Sequence, residues 1–349
     1  MSFIDLWWWK KNESILMRKT KMRLDVLYQF NEKYAPFAGT SITSLFENNK
    51  DMEGIDVYIL GEELSDDSKD KLCELAKSYE RRLIFKDTSN LIENMKKWGI
   101  PAYRGSYAAN MRLFLPLILE EAVDRILYLD ADTIVNGSLK TLMKTKMENY
   151  ALAMVMDSLG GNHKKTLGFS ETEPYYNSGV ILFDLKNWRE WECTERIIAH
   201  IKQGNTGYSA PDQDLLNVVC KENIMTLKPE YNAQPVHLVF SIRDYYKCYG
   251  RTAYYGEEEL KGLKENAVIY HFFRFLGEFP WNKNNLHPDN WLFDHYIALS
   301  PWKGYEKQKA ENTLAMKIEK LLFKILPHSV FLRIFIFFHN IYVERKKEI

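Results

Sequence analysis

Short apolar runs alternate with amphipathic stretches along most of the chain. Leu24-Asp25-Val26-Leu27-Tyr28-Gln29-Phe30 reads as a first strand, with Asp56–Leu60 and Leu83–Phe85 as the second and third. A helix is expected through Ser41–Glu47 and another after Ser65. Ser65 is a favoured N-cap type, and Leu72, Leu75, Ala76 and Tyr79 then share one face. A helical pattern over Met111–Ala122 leads into the apolar run Ile126-Leu127-Tyr128-Leu129, and Val180–Leu185 is a further buried strand. Asn187 is placed to cap a helix carrying Trp188, Trp191, Ile197, Ile198 and Ile201, whose aromatics are expected in the core. Pro211 opens another helix, where proline and acids suit the first turn. Ala267-Val268-Ile269-Tyr270 is a late strand that ends at His271. This alternation predicts an α/β protein with a mostly parallel sheet and helices on both faces.

The pattern changes from about residue 283. Leu314–Leu326 is amphipathic, and Pro327 ends it. Val330–Val343 is then almost wholly apolar, interrupted by Arg333, His339 and Asn340. At 14 residues it is shorter than the roughly 20 that span a bilayer. Residues 303–349 hold ten Lys/Arg and five Asp/Glu, a net of +5. An apolar stripe with basic flanks suits an anionic membrane surface. The alternative is a helical hairpin packed on the core or at a dimer face. The first 23 residues read as an N-terminal leader; Trp7-Trp8-Trp9 with Lys10-Lys11 would suit a membrane interface, against a disordered segment as the alternative. The expected boundaries are a leader at 1–23, a main domain at 24–282 and a helical C-terminal region at 283–349.

Composition narrows the function classes. Hydrophobic residues are 46% of 349, enough for a sizeable core. The net charge is zero, and no basic stripe with interleaved aromatics precedes the C-terminus, so no nucleic acid partner is expected. Cys73, Cys193, Cys220 and Cys248 fit no zinc spacing and read as free thiols. The first strand is not followed by G-x-G-x-x-G, and there is no G-x-x-x-x-G-K-S/T, which argues against nicotinamide enzymes and P-loop ATPases.

The chemistry concentrates where the run 126–129 ends in Asp130-Ala131-Asp132. In open α/β sheets, ligands bind beyond the carboxyl ends of strands. Two carboxylates flanking one residue there can reach one divalent cation, and hard oxygen ligands suit magnesium or manganese. In isolation, the same acids would equally cap the turn into Asn136-Gly137-Ser138.

Other segments join them. Tyr107–Pro116 carries Arg112; YYNSGVILFDLKNW occupies 175–188; PDQDLLN occupies 211–217; His271 is followed by Pro280-Trp281. In this order they resemble the retaining glycosyltransferases of family 8, over roughly residues 24–282. The family includes lipopolysaccharide glucosyl- and galactosyltransferases and glycogenin. The resemblance implies a GT-A fold that binds a nucleotide-diphosphate sugar, with UDP-glucose or UDP-galactose as donor and a glycan as acceptor. It implies Mn2+, with Mg2+ as the alternative, held by Asp130, Asp132 and His271. Gln29 and Asn31 match positions at the base, Tyr34 the aromatic that stacks on uracil, and Arg112 an arginine that reaches the donor. Ala131 joins this substrate-binding set. Asn177, Asp212 and Gln213 match positions around the transferred sugar, with Gln213 on the face opposite the leaving group.

The chain also departs from the family. Asn31 stands where an acid is usual, and Lys33 where Asn is frequent. The segment from His271 to Trp281 is about two residues longer and lacks the family's Lys near the diphosphate. Glu278 falls near where positive charge is expected. Arg274 is the candidate replacement, with Gly277 allowing close backbone approach; the competing reading pairs Arg274 with Glu278 on the surface. The expected function is retaining transfer of a hexose to a surface polysaccharide or lipopolysaccharide, peripheral at the inner, cytoplasmic face of the cell membrane. The alternatives are a glycogenin-like self-glucosylating primer and a catalytically silent nucleotide-sugar-binding scaffold.

Overall fold

A computed structural model of the chain describes residues 23–103, 105–249 and 254–345. Apart from Arg23, the leader lies outside the described residues. Nine strands are described: β1 (Arg23–Asn31), β2 (Gly54–Glu62), β3 (Arg82–Lys86), β4 (Arg125–Leu129), β5 (Thr133–Val135), β6 (Leu152–Met156), β7 (Tyr176–Asp184), β8 (Ile224–Thr226) and β9 (Ile269–His271). Seven form one sheet in the order β3-β2-β1-β4-β7-β6-β8, and β5 pairs with β9 beside it. Only β7 runs against its neighbours; all the other pairings in the large sheet are parallel. The central strands are buried along nearly their whole length, so both faces are covered.

This topology gathers one functional edge. The carboxyl ends of β1, β4 and β6 meet the amino end of β7. The β6–β7 ladder jumps from Met154↔Ile181 to Val155↔Asn177, leaving Ser178–Val180 outside the register. Such irregularities free backbone and re-aim side chains beside a site. The first helix, α1 (Ala35–Asn48), follows β1 and is longer than periodicity indicated, with Pro36 in its first turn. Its buried Thr40, Thr43 and Ser44 satisfy their hydroxyls on carbonyls one turn back. Ser65 caps the next helix as expected, accepting from the Ser68 amide.

Three local expectations are corrected. Residues Ala108–Leu117 form a 3₁₀ segment, not an α-helix, with non-helical backbone at Phe114 and Pro116 inside. Proline supplies no N–H and crowds the preceding turn. Asp184, not Asn187, caps Leu185–Glu190; Asn187 donates instead to the carbonyls of Glu148 and Tyr150. Glu192, at φ 49°, then separates that helix from Cys193–Lys202. The break leaves Trp188 in the core and Trp191 exposed, with its indole N–H on Asn149 O. Four more helices are used below: α2 (His163–Thr166), α3 (Pro211–Val219), and the C-terminal pair α4 (Leu314–Ile325) and α5 (His328–Arg345).

The C-terminal pair packs by one side only. Phe331, Leu332 and Ile336 of α5 are buried with Val236, Phe240, Tyr245, Phe275 and Leu276 in a second hydrophobic cluster. Leu314, Ile318, Leu321 and Ile325 run along the other side of α4 and are exposed, as are Phe337 and Phe338. The packed-hairpin reading therefore holds for one face, and the other is open. Among the described residues no helix is long and apolar enough to cross a membrane.

Candidate active site

Asp130 directly follows β4, and Asp132 ends the turn into β5. β9 delivers His271 through the β5–β9 ladder, where Thr133 pairs with His271. One ligand atom from each of Asp130, Asp132 and His271 lies within 4.8 Å of the others. His271 Nε2 is 3.3 Å from Asp132 Oδ1 and 3.7 Å from Asp130 Oδ2.

Hydrogen bonds set the imidazole's tautomer. The Gly179 amide donates to Asn177 Oδ1, which also accepts from Asn232 Nδ2. Asn232 Oδ1 is thereby turned to His271 Nδ1, 3.0 Å away, as an acceptor. Nδ1 therefore carries a proton, and Nε2 is the nitrogen that faces the carboxylates, where a bound metal would take the place of a proton. Gly179 has a steric reason as well: a Cβ there would fall 2.0 Å from His271 Cε1. Burial opposes charge on His271, but Asp132, Asp130 and Asp157 outweigh it and raise its pKa. Two carboxylates and an oriented imidazole fit a divalent transition metal.

Arg112 is buried beneath this cluster, at 5% exposure. Its guanidinium lies 3.9 Å from the centre of the Tyr128 ring. Its nitrogens donate to Ala109 O, Ser178 O and Asp130 Oδ1, and Nε lies 3.5 Å from Asp212 Oδ2. The fork expected at the donor is thus engaged by the protein, and it fixes Asp130 and Asp212. The Tyr128 hydroxyl donates to the same Asp130 oxygen. Burial raises the pKa of Asp212, against the pull of Arg112.

Asn177, Asp212 and Gln213 come together as expected. Gln213 sits in the first turn of α3. Its Nε2 donates to Asp157 Oδ2 (3.3 Å) and the Tyr175 hydroxyl (3.0 Å). Its Oε1 accepts from the Ser178 amide at 3.0 Å. Ser178 Oγ donates to Asp212 Oδ2, and Asn177 Nδ2 to Asp157 Oδ2. Tyr175 in turn donates to the buried Asp214, which His163 also approaches at 2.7 Å. Asp157, Ser178, Gly179 and Asn232 were not singled out from the sequence. Asp157 had a usable signal: it ends the apolar run Leu152–Met156, as Asp130 ends its own.

On the β1 side, Gln29 Nε2 donates to Ala109 O. Gln29 Oε1 and Asn31 Oδ1 are buried and accept nothing among the described residues. They lie two residues apart on the same face of β1. Tyr34 is half-buried, edge-on to Phe37 and Trp281. Ala131 is half-buried between the two acids.

In the 271–281 loop the surface pairing of Arg274 with Glu278 and the open approach at Gly277 are both corrected. The strand ends at His271, and Phe275–Glu278 closes a tight turn with Leu276 and Gly277 at φ 49° and 80°. Glu278 is 1% exposed and pairs with Lys320 of α4 at 2.6 Å; Asn312 also donates to it. It is therefore neither a surface partner of Arg274 nor an open charge. Arg274 is exposed, with Nε on Gly277 O and its guanidinium 5.7 Å from the Phe279 ring centre. The close approach at Gly277 is made by the C-terminal segment: a Cβ there would meet Asn312 Oδ1 at 2.6 Å.

The mostly parallel sheet with its carboxylate–histidine cluster at the strand ends has the GT-A architecture. The chain belongs to the family described as "Glycosyl transferase family 8", whose model matches residues 25–285. It is similar to "Lipopolysaccharide 1,2-glucosyltransferase" of Escherichia coli (strain K12), 28% identical over 298 residues, covering 84% of this chain and 83% of that one. By structure it is similar to the galactosyltransferase LgtC in complex with donor and acceptor sugar analogs: TM-score 0.64, 20% identity, 80% of this chain and 99% of that one. It is also similar to the bifunctional glycosyltransferase WbbM, at TM-score 0.66 and 20% identity; 82% of this chain is covered, and it spans about half (51%) of that protein.

Proposed function

We propose that this glycosyltransferase moves glucose or galactose, with retention, from a UDP-sugar to a glycan acceptor of a surface polysaccharide or lipopolysaccharide. The observation that carries the reading is the Asp130–Asp132–His271 cluster, with Nε2 oriented into it, beside the Asn177–Asp212–Gln213 cluster. Asp130, Asp132 and His271 would hold Mn2+, or Mg2+, which neutralises negative charge on the departing diphosphate. The unpartnered Gln29 and Asn31 oxygens suit the imide N–H of uracil, with Tyr34 beside them.

The amide of Gln213 is locked from both ends, which suits a fixed dipole more than a nucleophile. An amide oxygen stabilises an oxocarbenium-like centre without bonding to it. We favour attack from the face of the leaving group. The acceptor oxygen bonds to the anomeric carbon as the phosphate oxygen departs, and that phosphate oxygen takes the acceptor's proton. Asp212, held by Arg112 and Ser178, would orient sugar hydroxyls.

The exposed stripe Leu314/Ile318/Leu321/Ile325, flanked by the exposed Lys317 and Lys324, supports peripheral attachment to an anionic membrane, at the inner face of the cell membrane. The test is hydrolysis and transfer with UDP-glucose, UDP-galactose and their N-acetyl forms, in Mn2+, Mg2+ and EDTA. Metal-dependent turnover of one hexose donor is expected. No turnover of any donor would overturn the reading, and hexose units added to the protein's own mass would turn it into a self-glucosylating primer.

A further inference from the structure

The C-terminal helix α5 does more than complete a hydrophobic cluster. Its orientation is fixed by Phe331, Leu332 and Ile336, all buried. His339 and Asn340 follow Ile336 by three and four residues, so they continue the same protein-facing side. Here α5 packs on α2, the short helix that carries His163. Phe335 stacks on the His339 ring at 5.8 Å between centres. The charged and titratable groups acting on His339 are Asp157 and His163. Asp157 is the carboxylate that accepts from Asn177 and Gln213, and His163 reaches Gln213 through Asp214 and Tyr175. The polar end of α5 therefore lies against the helix that carries His163, within electrostatic reach of Asp157.

Both side chains carry an unmet polar atom. His339 Nδ1 and Asn340 Oδ1 are buried and make no hydrogen bond of ordinary geometry among the described residues, although the Asn340 side chain is near enough to act on the imidazole. Buried polar atoms are nearly always paired, because leaving one unpaired costs free energy. Burial lowers the His339 pKa, which keeps the ring neutral with one donor and one acceptor nitrogen. Asn340 likewise has both a donor and an acceptor. Sugar hydroxyls, which donate and accept at one oxygen, are the matching chemistry.

We propose that α5 supplies part of the acceptor subsite, with His339 and Asn340 hydrogen-bonding hydroxyls of the acceptor's terminal sugar opposite Asp157 and His163. This rests on the transfer reading above. The test uses the full-length enzyme, the hexose donor it turns over, and the acceptor it extends best from an array of lipooligosaccharide cores and simple β-glycosides. His339→Phe keeps the ring and its stacking but removes both hydrogen bonds. It should raise the acceptor KM at least tenfold with the donor KM within twofold, and His339→Gln should recover part of the loss. Asn340→Leu should raise the acceptor KM severalfold, and it decides the matter should His339→Phe melt earlier than wild type. An unchanged acceptor KM in His339→Phe and Asn340→Leu, or an equal rise in donor KM, would overturn the subsite. A wild-type enzyme that extends nothing on the array would instead overturn the transfer reading, and this proposal with it.

Discussion

The strand-end site and the C-terminal helix pair are held by opposite means. At the site, short polar side chains on rigid strand ends bond one another through a continuous network, from Gly179 through Asn177 and Asn232 to His271. In the C-terminal pair, apolar side chains pack one face of each helix, and the buried ion pair Lys320–Glu278 ties α4 to the loop beyond His271. The first arrangement fixes atoms to fractions of an ångström; the second fixes only the position of a helix. The metal cluster is assigned to the first, while membrane attachment is proposed for the open face of α4 and acceptor contacts for α5, and substitutions should separate these roles.

The largest effects are expected at the metal ligands. Asp130→Asn and Asp132→Asn should each lower turnover by on the order of a thousandfold or more, since a metal stabilises departing charge by several kcal/mol. The melting temperature should barely move in Asp132→Asn, whereas Asp130→Asn also removes the charge paired with the buried Arg112 and should melt earlier. Near-wild-type turnover in either variant would remove the metal assignment. Gly179→Ala tests the scaffold behind them. Its added methyl must displace the His271 ring, so we expect activity close to that of the ligand variants. Overpacking there should also destabilise the fold by about 1–3 kcal/mol. A fully active Gly179→Ala would mean that the imidazole does not need its present seat.

Next comes the ion pair. Lys320→Ala strands a nearly inaccessible carboxylate, whereas the partner lysine is itself 13% exposed. Breaking a buried pair costs up to about 3–5 kcal/mol, and the partial exposure brings the expectation to about 1–3. The double variant Glu278→Leu with Lys320→Met should regain most of it in thermal melts. Additive losses would show that the pair is not what joins α4 to the loop. The open face of α4 sets a contrast. Ile318→Ser with Leu321→Ser should weaken binding to phosphatidylserine-containing vesicles severalfold without changing donor hydrolysis, because both side chains are exposed and neither belongs to the candidate site. Removal of 327–349 is a different experiment, since it strips Phe331, Leu332 and Ile336 from the second cluster.

What was legible follows the same division. The Asp130-Ala131-Asp132 turn, the 175–188 run and the Pro211 helix are local signals, each a strand end or a helix start, and they land together at one edge. Asn232 and Asp157 are single polar residues that only the fold brings to His271 and Gln213; nothing beside Asn232 marks it. Trp191 misled because helical spacing was continued through Glu192, where the backbone turns left-handed. The two faces of α4 and α5 were visible as amphipathicity, but the hydropathic pattern does not say which apolar face meets protein. Glu278 shows why: its partner Lys320 lies 42 residues away.

The smallest effect is expected at Arg274, where the two regions meet. Its loop replaces the family's lysine-bearing segment, and Glu278, the acid that seemed to oppose it, is neutralised by Lys320. That leaves Arg274 as the exposed cation closest in sequence after His271. Among the described residues it is tethered through Nε to Gly277 O and by its position near the Phe279 ring. An exposed cation–π contact contributes about 0.5–1 kcal/mol, so Arg274→Ala should leave the melting temperature almost unchanged. The terminal guanidinium nitrogens carry the fork geometry that suits phosphate oxygens. Arg274→Ala is therefore expected to weaken UDP binding severalfold in saturating Mn2+, with Arg274→Lys recovering part of the loss. Calorimetric titration of UDP into both variants decides this. Unchanged affinity in both would leave the diphosphate to the metal and the backbone, and would make Arg274 a member of the C-terminal region's surface, not of the site.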